Sequence, residues 1–187
     1  MLMWSHYSNH SGFVAVFDVS KLEKQFHGPF PINYVERADS FNINKDPHLS
    51  VLYLTNIKSK CWSYEKEWRL LIESSESMQL PNRNDFPDLS KRKAYYSKDS
   101  LKEIILGFNF FHYNSYIEKM NDYDIFDFDI IPENENRTKL IDYLIKFNIP
   151  VSLIHINNNL EFKLSKRNII VAKFENNKYG FKIKNVA

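Results

Sequence analysis

The segment Trp62-Ser63-Tyr64-Glu65-Lys66-Glu67-Trp68-Arg69 sets two carboxylates and a guanidinium at alternate positions. On an extended strand, residues two apart project from one face. A carboxylate gripped by arginine stays ionised, and it can orient a sugar hydroxyl or stabilise a cation that develops in a transition state. Glu67 is the stronger candidate for that role, since Trp68 flanks it and Arg69 is its nearer cation. Glu65 is then the second carboxylate of a candidate catalytic set Glu67, Glu65 and Arg69. The same alternation also suits the plain solvent face of a half-buried strand.

A second constellation lies at the start, in Trp4-Ser5-His6-Tyr7 and His10-Ser11-Gly12. Histidines four apart share a helix face and can ligate a metal. No carboxylate or third histidine stands nearby to complete such a site, so no metal is expected. Cys61 is the single cysteine, which excludes an internal disulfide and a cysteine-based zinc centre. Nothing in the sequence sets a base such as His112 beside that thiol, and no glycine-rich phosphate loop occurs.

The charged triad is expected on a strand from Cys61 to Glu73. Trp62, Tyr64, Trp68, Leu70 and Ile72 form its inward face, with Lys66 the one residue out of pattern. Upstream, Leu2 to Asn9 suits a short helix with Gly12 as a left-handed cap, and Phe13 to Phe17 reads as a buried strand. Ile32 to Val35 is a short strand, while Ser50 to Ile57 suits a helix or a strand equally. Residues 74–93, with Pro81, Asn82, Asn84 and Pro87, read as a long loop able to cover a site. Downstream the sequence predicts a strand over Leu101 to Gly107, a helix over His112 to Met120, and a strand over Ile125 to Ile131. The last turns Phe126, Phe128 and Ile130 one way and Asp127 and Asp129 the other. Thr138 to Phe147 carries the stripe of an amphipathic helix closed by Asn148 and Pro150. Val151 to Val186 reads as antiparallel strands joined by Asn-rich turns at 157–159 and 176–177.

These elements predict one α+β domain over 1–187, with a central, mainly antiparallel sheet and a few short helices. Within it, 121–187 forms a helix plus antiparallel strands. The 187 residues are 43% hydrophobic and 26% charged, a composition that folds. Lys+Arg 25 against Asp+Glu 23 leaves a net charge of +2, so no strong field draws the chain to nucleic acid or membrane. Lys91, Arg92 and Lys93 are a basic cluster that reads as a solvated loop. With no apolar run of membrane-spanning length and no disulfide framework, a cytoplasmic location is expected.

Three elements in order along 1–110 carry a family resemblance. They are Trp4-x-x-Tyr7-x-x-His10-x-Gly12, then Lys58 or Lys60 ahead of Trp62, Glu65, Glu67 and Arg69, then Leu101, Ile104 and Gly107. Together they resemble the bacterial family called domain of unknown function 2971. Members carry a segment ahead of the first element, often with an Asn-Asp-Pro motif, so the resemblance implies a chain lacking it and a partner protein that supplies it.

The layout of that family is similar to ADP-ribosyltransferase domains. The likeness implies NAD as cofactor, with Glu67 or Glu65 binding a ribose hydroxyl and favouring the oxocarbenium-like state as nicotinamide leaves. Tyr7 or His10 would line the nicotinamide side, in an effector of a toxin or phage-defence system. The alternative is a non-enzymatic regulatory or interaction module, inactive through loss of its N-terminal segment. On the transferase reading this chain alone is expected to bind NAD poorly, since residues of the missing segment would form part of the binding surface.

Overall fold

The computed structural model describes residues 4, 7–22, 24, 26–38, 45–72, 95–111, 116–128, 132–156, 164–175 and 178–184. In chain order the elements are β1 (Phe13–Phe17), β2 (Phe26–Pro31), β3 (Asn33–Val35), α1 (Pro47–Thr55), β4 (Ile57–Ser59) and β5 (Trp68–Ile72). Then follow β6 (Leu101–Leu106), β7 (Tyr116–Met120), β8 (Tyr123–Phe126), α2 (Pro132–Phe147), β9 (Val151–Ile156), β10 (Leu164–Lys173) and β11 (Tyr179–Ile183). The chain divides into two compact units, one of 1–18 with 101–187 and the other of 19–100.

The first unit is built on a seven-stranded sheet in the order β1-β6-β9-β10-β11-β8-β7. Every neighbouring pair is antiparallel except β6 and β9. That pair is parallel because the chain leaves β6, makes the β7–β8 hairpin and α2, and returns in the same direction. The architecture is therefore α+β on a mainly antiparallel sheet, as the sequence predicts. Its core gathers Ile104 and Leu106 of β6, Val151 of β9, Ile169 of β10 and Phe181 of β11 with Ile141 and Leu144 of α2. Phe111 sits among the rings, 4.7 Å from Phe181 and 5.3 Å from Phe126 between centroids.

Helix α2 fills its expected span and extends it toward the N-terminus, opening on Pro132, whose fixed φ suits a first helical turn. It stops at Asn148, which adopts a left-handed φ of 50° while the Ile149 N–H donates back to the Leu144 carbonyl at 3.0 Å. The strands after it are those expected, and the Asn-rich stretch 157–159 and the turn 176–177 lie outside the described residues. At Ile125 to Ile131 the strand ends at Phe126; Phe126 and Phe128 are buried and Asp127 is exposed, but Ile125 is buried as well.

Three expectations are corrected in this unit. Tyr116 to Met120 is a strand and not a helix, because Asn121 and Asp122 both take left-handed φ values of 47° and 67° and fold β7 onto β8 through a mirror-type turn. The left-handed residues after the first helical turn are Asn9 and His10, with φ of 45° and 60°, and not Gly12. Finally, β1 is not buried: it is an edge strand, with Phe13 50% and Val14 43% exposed.

In the second unit, β2 pairs antiparallel with β5 and β3 pairs parallel with β4. Between these strands α1 begins at Asp46, whose side chain accepts the Leu49 N–H at 2.9 Å, with Pro47 in its first turn. Residues Ser50 to Ile57 thus contain both alternatives the sequence left open: helix to Thr55, a turn at Asn56, and strand from Ile57. Residues 74–93 lie outside the described residues.

Candidate functional site

The expected strand from Cys61 to Glu73 is interrupted. Lys60–Glu65 forms a 3-10 turn, Lys66 turns left-handed at φ 49°, and extended strand begins only at Trp68. The reversal at Lys66 exchanges the faces. Trp62 and Tyr64 are exposed at the rim, and Trp68, expected in the core, is 62% exposed. The carboxylate side chain of Glu65, expected at the surface, is only 3% exposed.

The turn nonetheless brings Glu65, Glu67 and Arg69 into one cluster, and a fourth charge completes it. Lys58, carried on β4 just past the end of α1, donates to Glu65 Oε2 and, at 3.0 Å, to Glu67 Oε2. Arg69, on β5, donates from Nε to Glu67 Oε1 at 2.6 Å and from Nη1 to the carbonyl of Thr55, the last residue of α1. Tyr34 on β3 accepts the Glu67 backbone N–H at 2.7 Å, and the Ile32 N–H donates to the Glu67 carbonyl at 3.0 Å. Five segments of the unit thus meet at the cluster: β3, the end of α1, β4, the 3-10 turn and β5. Of the two lysines the motif offered, Lys58 is the one in the cluster, while Lys60 pairs with Glu36 at the surface, 2.8 Å away. Nothing in the local sequence marked Tyr34 or the Thr55 carbonyl, which arrive through chain reversals.

The electrostatics follow from this geometry. Arg69, first of all, and then Lys58 hold the Glu67 carboxyl below the usual carboxylate range against the opposing effect of burial. The hydrogen bonds of Glu65 and Glu67 raise the Lys58 ammonium above the ordinary lysine value, and Glu67 does the same for Arg69. Lys58 also lies 5.3 Å from the centroid of the Trp62 ring, over its face. The side chains of Glu67 and Arg69 remain 28% and 32% exposed, so the cluster reaches solvent on that side. Its two cations and two carboxylates cancel.

The two other predicted site residues, Tyr7 and His10, belong to the first unit. Tyr7 is exposed. His10 packs its ring on Phe108 with centroids 4.3 Å apart, and its Nδ1 is buried without a hydrogen-bond partner. Burial lowers its pKa, which favours the neutral ring at neutral pH. His6 lies outside the described residues, and among the described residues no three His, Cys, Asp or Glu side chains gather as metal ligands would. No helix among the described residues is long and apolar enough to cross a membrane.

The first unit holds a second polar cluster that sequence reasoning missed. Glu103 of β6 accepts from the Ser152 hydroxyl on β9 and from Lys166 of β10, the latter at 2.8 Å. Ser152 has no exposed surface. A hydroxyl closed to solvent and already bonded to a carboxylate and to Asn168 supports the sheet and is not a nucleophile in this state.

Residues 3–70 match a family model described as a protein of unknown function (DUF2971). The likeness is to this stretch of the chain and goes no further along it. The match takes in the Trp4–Gly12 element and the whole Lys58–Glu65–Glu67–Arg69 cluster, and it stops short of the Leu101, Ile104 and Gly107 element. It therefore spans β1 of the first unit and most of the described second unit. No curated protein and no solved structure matches the chain.

Proposed function

We propose that the chain is a non-enzymatic interaction module, in which the four-charge cluster of the DUF2971-like segment is a clamp and Trp68 is part of the displayed surface. The observation that carries this reading is the cancellation of charge around Glu67. A carboxylate that stabilises an oxocarbenium-like state acts through its negative field. Here Arg69 and Lys58 occupy both carboxylate oxygens within hydrogen-bonding distance, so little net field is left for a substrate. What the cluster does supply is cohesion, since it ties β4, β5 and the end of α1 to one point. Trp68 then stands exposed on β5 beside Pro31, its register partner on β2, and exposed large aromatics are favoured anchors at binding surfaces.

A second reading, ADP-ribosyl transfer from NAD, is favoured by one feature: Glu67 is held ionised and is partly open to solvent. One experiment separates the two. The full chain and its Glu67→Gln variant are incubated with NAD, nicotinamide release is followed, and both proteins are melted. The clamp reading expects no release from either protein and a lower melting temperature for the variant. Release by the wild type, abolished in Glu67→Gln at an unchanged melting temperature, would establish the transferase reading in its place.

A further inference from the structure

The sheet of the first unit ends on β1 at one side and on β7 at the other, and the two edges are built differently. An unpaired edge presents a row of N–H and C=O groups to any strand that fits. Opposite residues in an antiparallel pair must both direct their backbone groups across the gap or both direct them away. This parity fixes the registers open to an edge.

On β1 the parity can be read directly. The Gly107 N–H donates to the Gly12 carbonyl at 2.9 Å and the Asn109 N–H to the His10 carbonyl at 2.9 Å, while Phe13 lies opposite Leu106 and Val14 opposite Ile105. Residues 10, 12, 14 and 16 therefore face β6, and the backbone groups of Phe13 and Ala15 point away from the sheet. Among the described residues no strand lies beyond them.

The sequence of β1 is Phe-Val-Ala-Val-Phe, identical read in either direction. Antiparallel pairing of two copies centred on Ala15 meets the parity rule. It sets Phe13 opposite Phe17 of the other copy, Val14 opposite Val16, and Ala15 opposite Ala15. No charge falls within the pairing. Ala15 and Phe17 already pack against the core, so Phe13 belongs to the same row and is half exposed where that row runs out. In the pair, each Phe13 is covered by the other copy's Phe17. The opposite edge lacks these properties: centring β7 on Glu118 or on Lys119 opposes two like charges.

We propose that β1 is a self-complementary interface, through which a second copy of this chain joins edge to edge in a two-fold dimer with one sheet running through both subunits.

Sedimentation and hydrogen exchange on the full chain test this. The mass should double as concentration rises from low micromolar toward millimolar, and the Phe13 and Ala15 amides should become protected over the same range. Ala15→Pro removes an outward N–H without touching the β6 ladder, so it should keep the melt of the monomer and abolish the mass increase. A wild type that stays monomeric throughout overturns the proposal. So does an Ala15 amide already protected in the monomer, since the edge is then covered within one chain, and so does a dimer that survives Ala15→Pro. If that variant fails to fold, the wild-type exchange data alone decide.

Discussion

The His10 carbonyl oxygen lies 2.0 Å from where a β-carbon on Gly107 would stand. This contact joins the first motif element to the third. His10 can come so close because its left-handed backbone turns the chain down onto the end of β6, where its carbonyl accepts the Asn109 N–H.

Gly107→Ala should accordingly be strongly destabilising. The obstacle is backbone, which cannot rotate aside as a side chain can, so the cost should reach or exceed the upper part of the usual overpacking range of about 1–3 kcal/mol. Denaturant titration of the variant beside the wild type measures it. An unchanged midpoint would mean that the His10 turn is free to move away.

Trp68→Ala should leave the melting temperature within a degree or two of the wild type, because most of the ring is already in water. Leu144→Ala, at a core position with 1% exposure, should cost about 2–5 kcal/mol. Thermal melts of the two variants side by side test the inverted face at β5. A collapse on truncating Trp68 would return it to the core.

The clamp also predicts a pH dependence. The folded-state pKa of Glu67 lies below its unfolded value, so its contribution is complete above the ordinary carboxylate range and is lost as pH falls through that range and then through the folded value. Lys58 is shifted upward, so its contribution is complete below the ordinary lysine pKa and is lost as pH rises through the folded value. The melting temperature of the wild type should thus exceed that of Glu67→Gln at neutral pH, and the gap should narrow in acid. Melts from neutral pH down to about pH 3, below the free glutamate pKa of about 4.3, check this. A gap independent of pH would remove the ion pairs from the account.

The sequence revealed the elements whose signals are local. Helix α2 announced itself by its apolar stripe and its Asn148 stop, and β6 and β9 to β11 by branched apolar runs between turn residues. The charged cluster was legible as a set of residues and illegible as a geometry. Lys66, the one residue that broke the alternation, is the left-handed residue that reverses the faces; a single positive φ has no period of its own to detect. The β7–β8 hairpin was hidden in the same way, since Asn121-Asp122 makes a tight mirror turn without the glycine that usually marks one. Tyr34 reaches Glu67 and the Thr55 carbonyl reaches Arg69 across the fold, and no local pattern encodes a tertiary meeting.

The strands β1 and β6 are neighbours in the sheet, yet the whole of 19–100 is threaded between them. Bringing such distant segments together as a free coil would carry a loop-closure entropy of about 4 kcal/mol, and pairings of this kind slow folding. The inserted unit removes most of that obstacle, because the 3-10 turn Val19–Lys21 at its start touches the 3-10 turn Lys98–Ser100 at its end. Once it has folded, its two ends are already side by side, and β6 emerges next to β1. With the inserted unit folded, the excursion therefore counts as a short connection for the pairing of β1 with β6.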